Sequence, residues 1–131
     1  MTKQPASTPW GSPNTVVEFA PGFTFVRTEA YAGIMVKRDA AAHGLSPLAR
    51  RYGTRHGDYL CYEYPHAAPI VLTELLDTKG WPAIAPLFSQ GKGQEQAANY
   101  IELSLLRHYP QYAAARRQKQ RPVGEQGNMA R

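Results

Sequence analysis

The stretch Thr15–Lys37 constrains this chain more than any other. It reads Thr-Val-Val-Glu-Phe-Ala-Pro-Gly-Phe-Thr-Phe-Val-Arg-Thr-Glu-Ala-Tyr-Ala-Gly-Ile-Met-Val-Lys, three short β-branched and aromatic runs divided by Ala20-Pro21-Gly22 and Glu29–Gly33. Branched and ring side chains suit a pleated, half-buried surface, and the two breaks carry turn chemistry. Phe23 and Phe25 fall on one side of the middle run, with Thr24, Val26 and Thr28 on the other. The pattern predicts a three-stranded antiparallel meander that buries one face.

The remaining segments supply what covers that face. Asp39 can cap a short helix over Ala40–His43, ended by Gly44. Ser46-Pro47 starts another, with Gly53 as its stop. Thr54–Asp58 reads as a loop, and Tyr59–Tyr64 alternates as a fourth strand closed by Pro65. A helix is expected from Pro69 to Asp77, broken at Gly80-Trp81-Pro82, with Ala83–Phe88 as a packed loop. Beyond a flexible joint at Gly91–Gly93, the strongest helical pattern runs from Gln94 to His108. Its Ala97, Ala98, Tyr100, Ile101 and Leu105 share a stripe expected to face the sheet, leaving Leu103 and Leu106 behind it for a neighbouring helix or a partner chain to cover. Tyr109-Pro110 kinks or restarts this helix, which continues to Arg117. The reading is a small α+β domain over residues 15–117: a meander plus a fourth strand, packed on two or three helices. Residues 1–14, with three prolines and little to bury except Trp10, read as a flexible leader, and 118–131 as a disordered basic tail.

Charge bears on what such a domain binds. The chain carries +5, with ten arginines against five lysines. This favours an acidic partner: nucleic acid, an anionic protein face or, less well, a membrane surface. A single cysteine, Cys61, excludes an internal disulfide framework and suits a reducing cytoplasm. No apolar run approaches the ~20 residues of a membrane span, and no signal-peptide core is present.

Catalytic constellations are weak. Arg55-His56-Gly57-Asp58 precedes Cys61 and Glu63, so a thiol, an imidazole and carboxylates are close in sequence. Without a nucleophile elbow or oxyanion signature, a thiol hydrolase centred on Cys61 ranks last among the readings. His43, His56, His66 and His108 lack metal-ligand spacing, so neither a metal nor another cofactor is expected. Gly91-Lys92-Gly93 lacks the rest of a phosphate loop. What stands out is a surplus of rings, eight tyrosines and two tryptophans, beside arginine clusters. That composition marks interface hot spots and base-stacking surfaces. The candidate binding residues are Arg50, Arg51, Tyr52, Arg55, Arg107, Tyr109, Tyr112, Arg116 and Arg117, with Trp10, Leu103 and Leu106 as candidate interface positions.

Five landmarks carry a resemblance: Thr8-Pro9-Trp10-Gly11, Ala20-Pro21-Gly22, Thr28 with Tyr31-Ala32-Gly33-Ile34, Cys61 among acidic and aromatic residues, and Leu106-Arg107-His108-Tyr109-Pro110. Together they resemble a family of small uncharacterised bacterial proteins found on plasmids and integrated mobile elements. The resemblance implies no activity or site residue. It does imply a setting in which small proteins bind host or element machinery, including as inhibitors of host defence. The expectation is therefore a cytoplasmic, non-enzymatic module binding a protein or nucleoprotein partner. Direct DNA or RNA binding is the alternative, and self-association stays open.

Overall fold

The computed structural model describes residues 8–88 and 93–119. The first half of the expected leader, most of the Gly91–Gly93 joint and the tail from residue 120 lie outside them.

The meander forms as its pattern predicts. Strands β1 (Thr15–Ala20), β2 (Phe23–Arg27) and β3 (Ala32–Lys37) pair antiparallel in sequence order. The turn between β1 and β2 places Gly22 at φ 83°, a conformation that favours glycine. After β3 come two short helices, α1 (Arg38–Gly44) and α2 (Pro47–Arg51). Ser46 caps α2 as expected, its Oγ accepting from the Ala49 N–H at 3.1 Å. Asp39 lies inside the first turn of α1 instead of capping it, where its charge still complements the helix dipole.

The expected loop at Thr54–Asp58 is in part a strand. Strand β4 (Thr54–His56) joins β5 (Tyr59–Tyr64) through the two-residue turn Gly57-Asp58. Gly57 has φ 61° and no described non-glycine residue has a positive φ, which is the pattern of a type II′ hairpin. The sheet thus has five strands, ordered β1-β2-β3-β5-β4 and antiparallel throughout.

Helix α3 (Ala68–Lys79) lies across β3 and β5. Gly80, at φ 89°, ends it. The expected packed loop is helical as well: α4 (Trp81–Ile84) runs into a 3-10 turn at Ala85–Leu87. Pro82 and Pro86 occupy early helical positions, where a missing N–H costs nothing. Helix α5 (Gln94–His108) has the expected bounds, and α6 (Pro110–Lys119) follows after Tyr109.

The place of α5 differs from expectation. Its buried stripe, Ala97, Ile101 and Leu105, packs chiefly on α3 and not on the sheet. The cause lies in α3, where Ala68, Pro69, Ile70, Val71, Leu72, Thr73 and Leu75 are all buried. A helix apolar around most of its girth needs cover on the side away from the sheet too. One cluster therefore runs from Phe23, Ile34, Val36 and Tyr62 on the sheet, through Ile70, Val71 and Leu75, to Ile84, Ile101 and Leu105.

The other face of the sheet is thinly covered. Val26, Met35 and Cys61 are buried there with Trp10 and Tyr59 packed against them. Trp10 closes directly over Gly33, so that a Cβ at Gly33 would collide with the indole ring. Trp10 and Gly33 belong to two of the sequence landmarks, and this close approach explains the glycine at 33.

Candidate functional site

The basic and aromatic residues singled out in the sequence do not form one surface. Arg50 turns inward, its Nη1 donating to the carbonyls of Ala41, Ala42 and Leu45 at 3.3, 3.2 and 3.1 Å. It thereby supplies a donor to the carbonyls at the end of α1, where Ala41 O also accepts from the Leu45 N–H at 3.0 Å. Tyr112 is buried and donates to Glu74 Oε2 at 2.6 Å. Glu74 also accepts from the Ser46 N–H at 2.7 Å and the Ser46 hydroxyl at 2.8 Å, so one carboxylate ties α2, α3 and α6 together. Burial, followed by this hydrogen bond, pushes the Tyr112 hydroxyl far above the usual tyrosine range. Arg116 pairs with Asp77 through two contacts, Nε to Oδ2 at 3.0 Å and Nη2 to Oδ1 at 2.9 Å. Tyr52 stands edge-on to both Tyr109 and Tyr112, with centroids 5.1 and 5.9 Å apart. Arg51, Arg55 and Arg107 are exposed, and Arg117 lies in the last turns of α6. Among the described residues eleven Lys and Arg face nine Asp and Glu, so more than half of the +5 belongs to the remaining segments.

A second arginine–aromatic group, not singled out in the sequence, lies at the Arg27 end of the sheet. Residues opposite one another in an antiparallel ladder point to the same face. The register Arg27↔Ala32↔Tyr64, beside Phe25↔Ile34, therefore sets Phe25, Arg27, Ile34 and Tyr64 on the helix-covered face at one corner. There they line a cavity of ≈ 220 Å³, completed by Leu72 of α3, Phe88 and Tyr100 of α5. The Tyr64 and Tyr100 hydroxyls share a hydrogen bond at 3.2 Å. That bond, with partial burial, pushes Tyr64 up to about 12. Arg27 holds its guanidinium 5.9 Å from the Phe25 ring centroid, and among the described residues the ion pair formed is Arg116–Asp77, not one to Arg27.

The corner stays open to solvent. Tyr64 is 44% and Tyr31 53% exposed, and Val17, across from Phe25, is 41% exposed. A shallower hollow on the other side of Arg27 and Tyr64 is lined by Thr28, Glu29, Tyr31 and Glu63. The signal for this site was in the sequence as Phe25-x-Arg27 on the Phe23 side of the middle strand. Its pairing with Tyr64 needed the strand register, and its pairing with Tyr100 needed the tertiary fold.

Other chemistry is sparse. Burial pushes the Cys61 thiol up to about 12, the opposite of what an attacking thiolate needs. His66 and His108, distant in sequence, meet edge-on with centroids 4.5 Å apart. Among the described residues no three His, Cys, Asp or Glu side chains are grouped to hold a metal ion. No described helix is long and apolar enough to cross a membrane.

The family model of DUF7007, a domain of unknown function, matches residues 3–131, and the chain belongs to that family. No curated protein and no solved structure matches it.

Proposed function

We propose that this protein is a non-enzymatic interaction module that binds a macromolecular partner, a protein or nucleoprotein complex, through an arginine-and-tyrosine surface. One observation carries the reading: the cavity beside Arg27, Tyr64 and Tyr100 opens between exposed rings, and among the described residues Arg27 forms no ion pair with a carboxylate. Its size suits one large apolar side chain. Arg27 at its mouth suits a neighbouring carboxylate, and the two tyrosine hydroxyls give a polar edge inside an apolar wall. On this reading the partner belongs to host or element machinery, since the sequence resembles proteins of plasmids and integrated elements, and a single buried thiol suits action in the cytoplasm.

The test is affinity capture from the native host with nuclease treatment, comparing wild type with Arg27→Glu, Tyr64→Ala, and Arg51→Ala with Arg55→Ala. The reading expects a protein retained after nuclease, lost with either corner variant and kept by the Arg51/Arg55 variant. Capture that the corner variants leave unchanged overturns it. Capture abolished by nuclease, with affinity falling steeply as salt rises, replaces it with direct nucleic-acid binding.

A further inference from the structure

Leu103 and Leu106, expected to lie under a helix or a partner chain, stay exposed on α5. The edges of the sheet offer a more selective surface. The order β1-β2-β3-β5-β4 leaves β1 and β4 each paired on one side only among the described residues. The two edges differ. β4 has three residues, Arg55 and His56 among them, and a strand so short and charged discourages further pairing. β1 has six, and its first half, Thr-Val-Val, carries no charge and no proline. Burial rises along β1 from exposed Thr15 and Val17 to buried Ala20, and the register shifts after Glu18. Residues 15–18 are therefore the regularly paired, open part of this edge.

Ladder bonds show which backbone groups of β1 point away from the sheet. Beside β2, the Thr28 N–H donates to the Tyr31 carbonyl at 2.7 Å, and the Lys37 N–H to the Gly22 carbonyl at 2.9 Å. Even-numbered positions on and beside β2 thus bond toward β3, and odd-numbered ones toward β1. Val16 and Glu18 stand opposite the even-numbered Val26 and Thr24, so their N–H and C=O groups point outward. Thr15 and Val17 stand opposite Arg27 and Phe25 and share the face that carries the corner cavity.

We infer that the edge of β1 takes up an extended segment of the partner as an added strand, with an apolar side chain facing Val17 and an acidic one, two residues away, facing Thr15. This rests on the partner-binding reading of the corner and gives the partner its form. The outward N–H and C=O groups select a strand, because alternate groups of another extended chain meet them in register. Charge selects the acid. Among the described residues Arg27 is the charged member of the cavity lining and forms no ion pair. Glu29 and Glu63 line the hollow on its other side, and neither pairs with it. A residue facing Thr15 lies two strand spacings, about 10 Å, from the Arg27 backbone, a gap that an extended arginine and a glutamate close from both sides. With two outward-facing residues the ladder is short, so side-chain selection supplies much of the affinity.

A random linear peptide library selected on the full chain supplies the probe. Enriched sequences should alternate branched or aromatic residues with polar ones and carry an acid two positions from an apolar residue. The best of them, made synthetically, should lose about tenfold in affinity with Val16→Pro, which removes an outward N–H and no ladder bond to β2. Val16→Ala keeps that N–H and should bind within about threefold of wild type. N-methylating alternate amides of the peptide should abolish binding in one register and spare it in the other, a readout independent of how the variants fold. Arg27→Glu should reverse the preference, from an acid to a lysine at that position. Failure to enrich any alternating sequence overturns the inference. So does a peptide released by Arg27→Glu or Tyr64→Ala but not by Val16→Pro or N-methylation: the corner then binds its partner, though not as a strand. A strand-like peptide indifferent to Arg27→Glu overturns the choice of an acid.

Discussion

Two groups of arginine and tyrosine in this molecule share a composition and differ in what their polar atoms do. In the Arg50–Tyr52–Tyr112–Arg116 group, Arg50 closes the end of α1, Tyr112 bonds to Glu74 and Arg116 pairs with Asp77. In the Arg27–Tyr64–Tyr100 group, the hydroxyls bond to each other beside a cavity, while Arg27 leans on Phe25 with no ion pair to a carboxylate among the described residues. Residue type cannot separate the groups; satisfaction can. A polar atom whose bonds are made inside the fold contributes to stability, and one left at an open edge offers its bonds to something else.

The first group should therefore fail as structure and the second as recognition. The largest effect is expected from Tyr112→Ala, which removes a fully buried ring and leaves Glu74 without its shortest hydrogen bond. Loss of such a ring costs about 3–5 kcal/mol, measurable by urea unfolding. Unchanged stability would show that the Glu74 hub does not hold α6, and the contrast between the groups would collapse. Tyr64→Ala tests the other half. It should lower partner affinity more than tenfold, about 1.4–2 kcal/mol, while changing unfolding free energy by less than about 1 kcal/mol.

Much of the scaffold was legible because its signals are local. Period-two alternation in Phe23–Val26, the Ser46-Pro47 start and the apolar stripe of α5 each depend on neighbours a few residues away. Gly57-Asp58 was also a local hairpin signal, overlooked because β4 has only three residues to show a pattern. The site was much less legible. Whether an arginine faces solvent depends on which carbonyls the fold brings near it. Arg50 meets those at the end of α1, whereas Arg51, one position along, meets water. Likewise, Tyr64 and Tyr100 are 36 residues apart, and only the stacking of α5 on α3 brings their hydroxyls together.

That adjacent pair gives a smaller, sharper test. Arg50→Ala should cost about 1 kcal/mol, because the last carbonyls of α1 lose their cation and donor. Arg51→Ala should stay within about 0.5 kcal/mol of wild type. Neither should change partner capture. Equal effects on stability would mean that Arg50 is as free in solution as its neighbour.

The smallest effect is expected from the hydrogen bond between the two corner tyrosines. Tyr64 stands at about 12 in the folded chain against 10.0 for an ordinary tyrosine, chiefly because its hydroxyl is tied to Tyr100. A folded-state value raised in this way contributes stability that is complete below pH 10. Between pH 10 and pH 12 the unfolded chain releases the Tyr64 proton while the folded chain keeps it, so the contribution shrinks as pH rises. Other buried tyrosines titrate above the ordinary range as well, so the informative quantity is a difference. The stability of wild type relative to Tyr64→Phe should be constant up to pH 10 and then decline, by a modest amount because the ring is nearly half exposed. A difference that stays flat through this window would mean the two hydroxyls do not meet in solution. The corner would then present its donors to water one by one, and the polar edge argued for the partner's side chain would be lost.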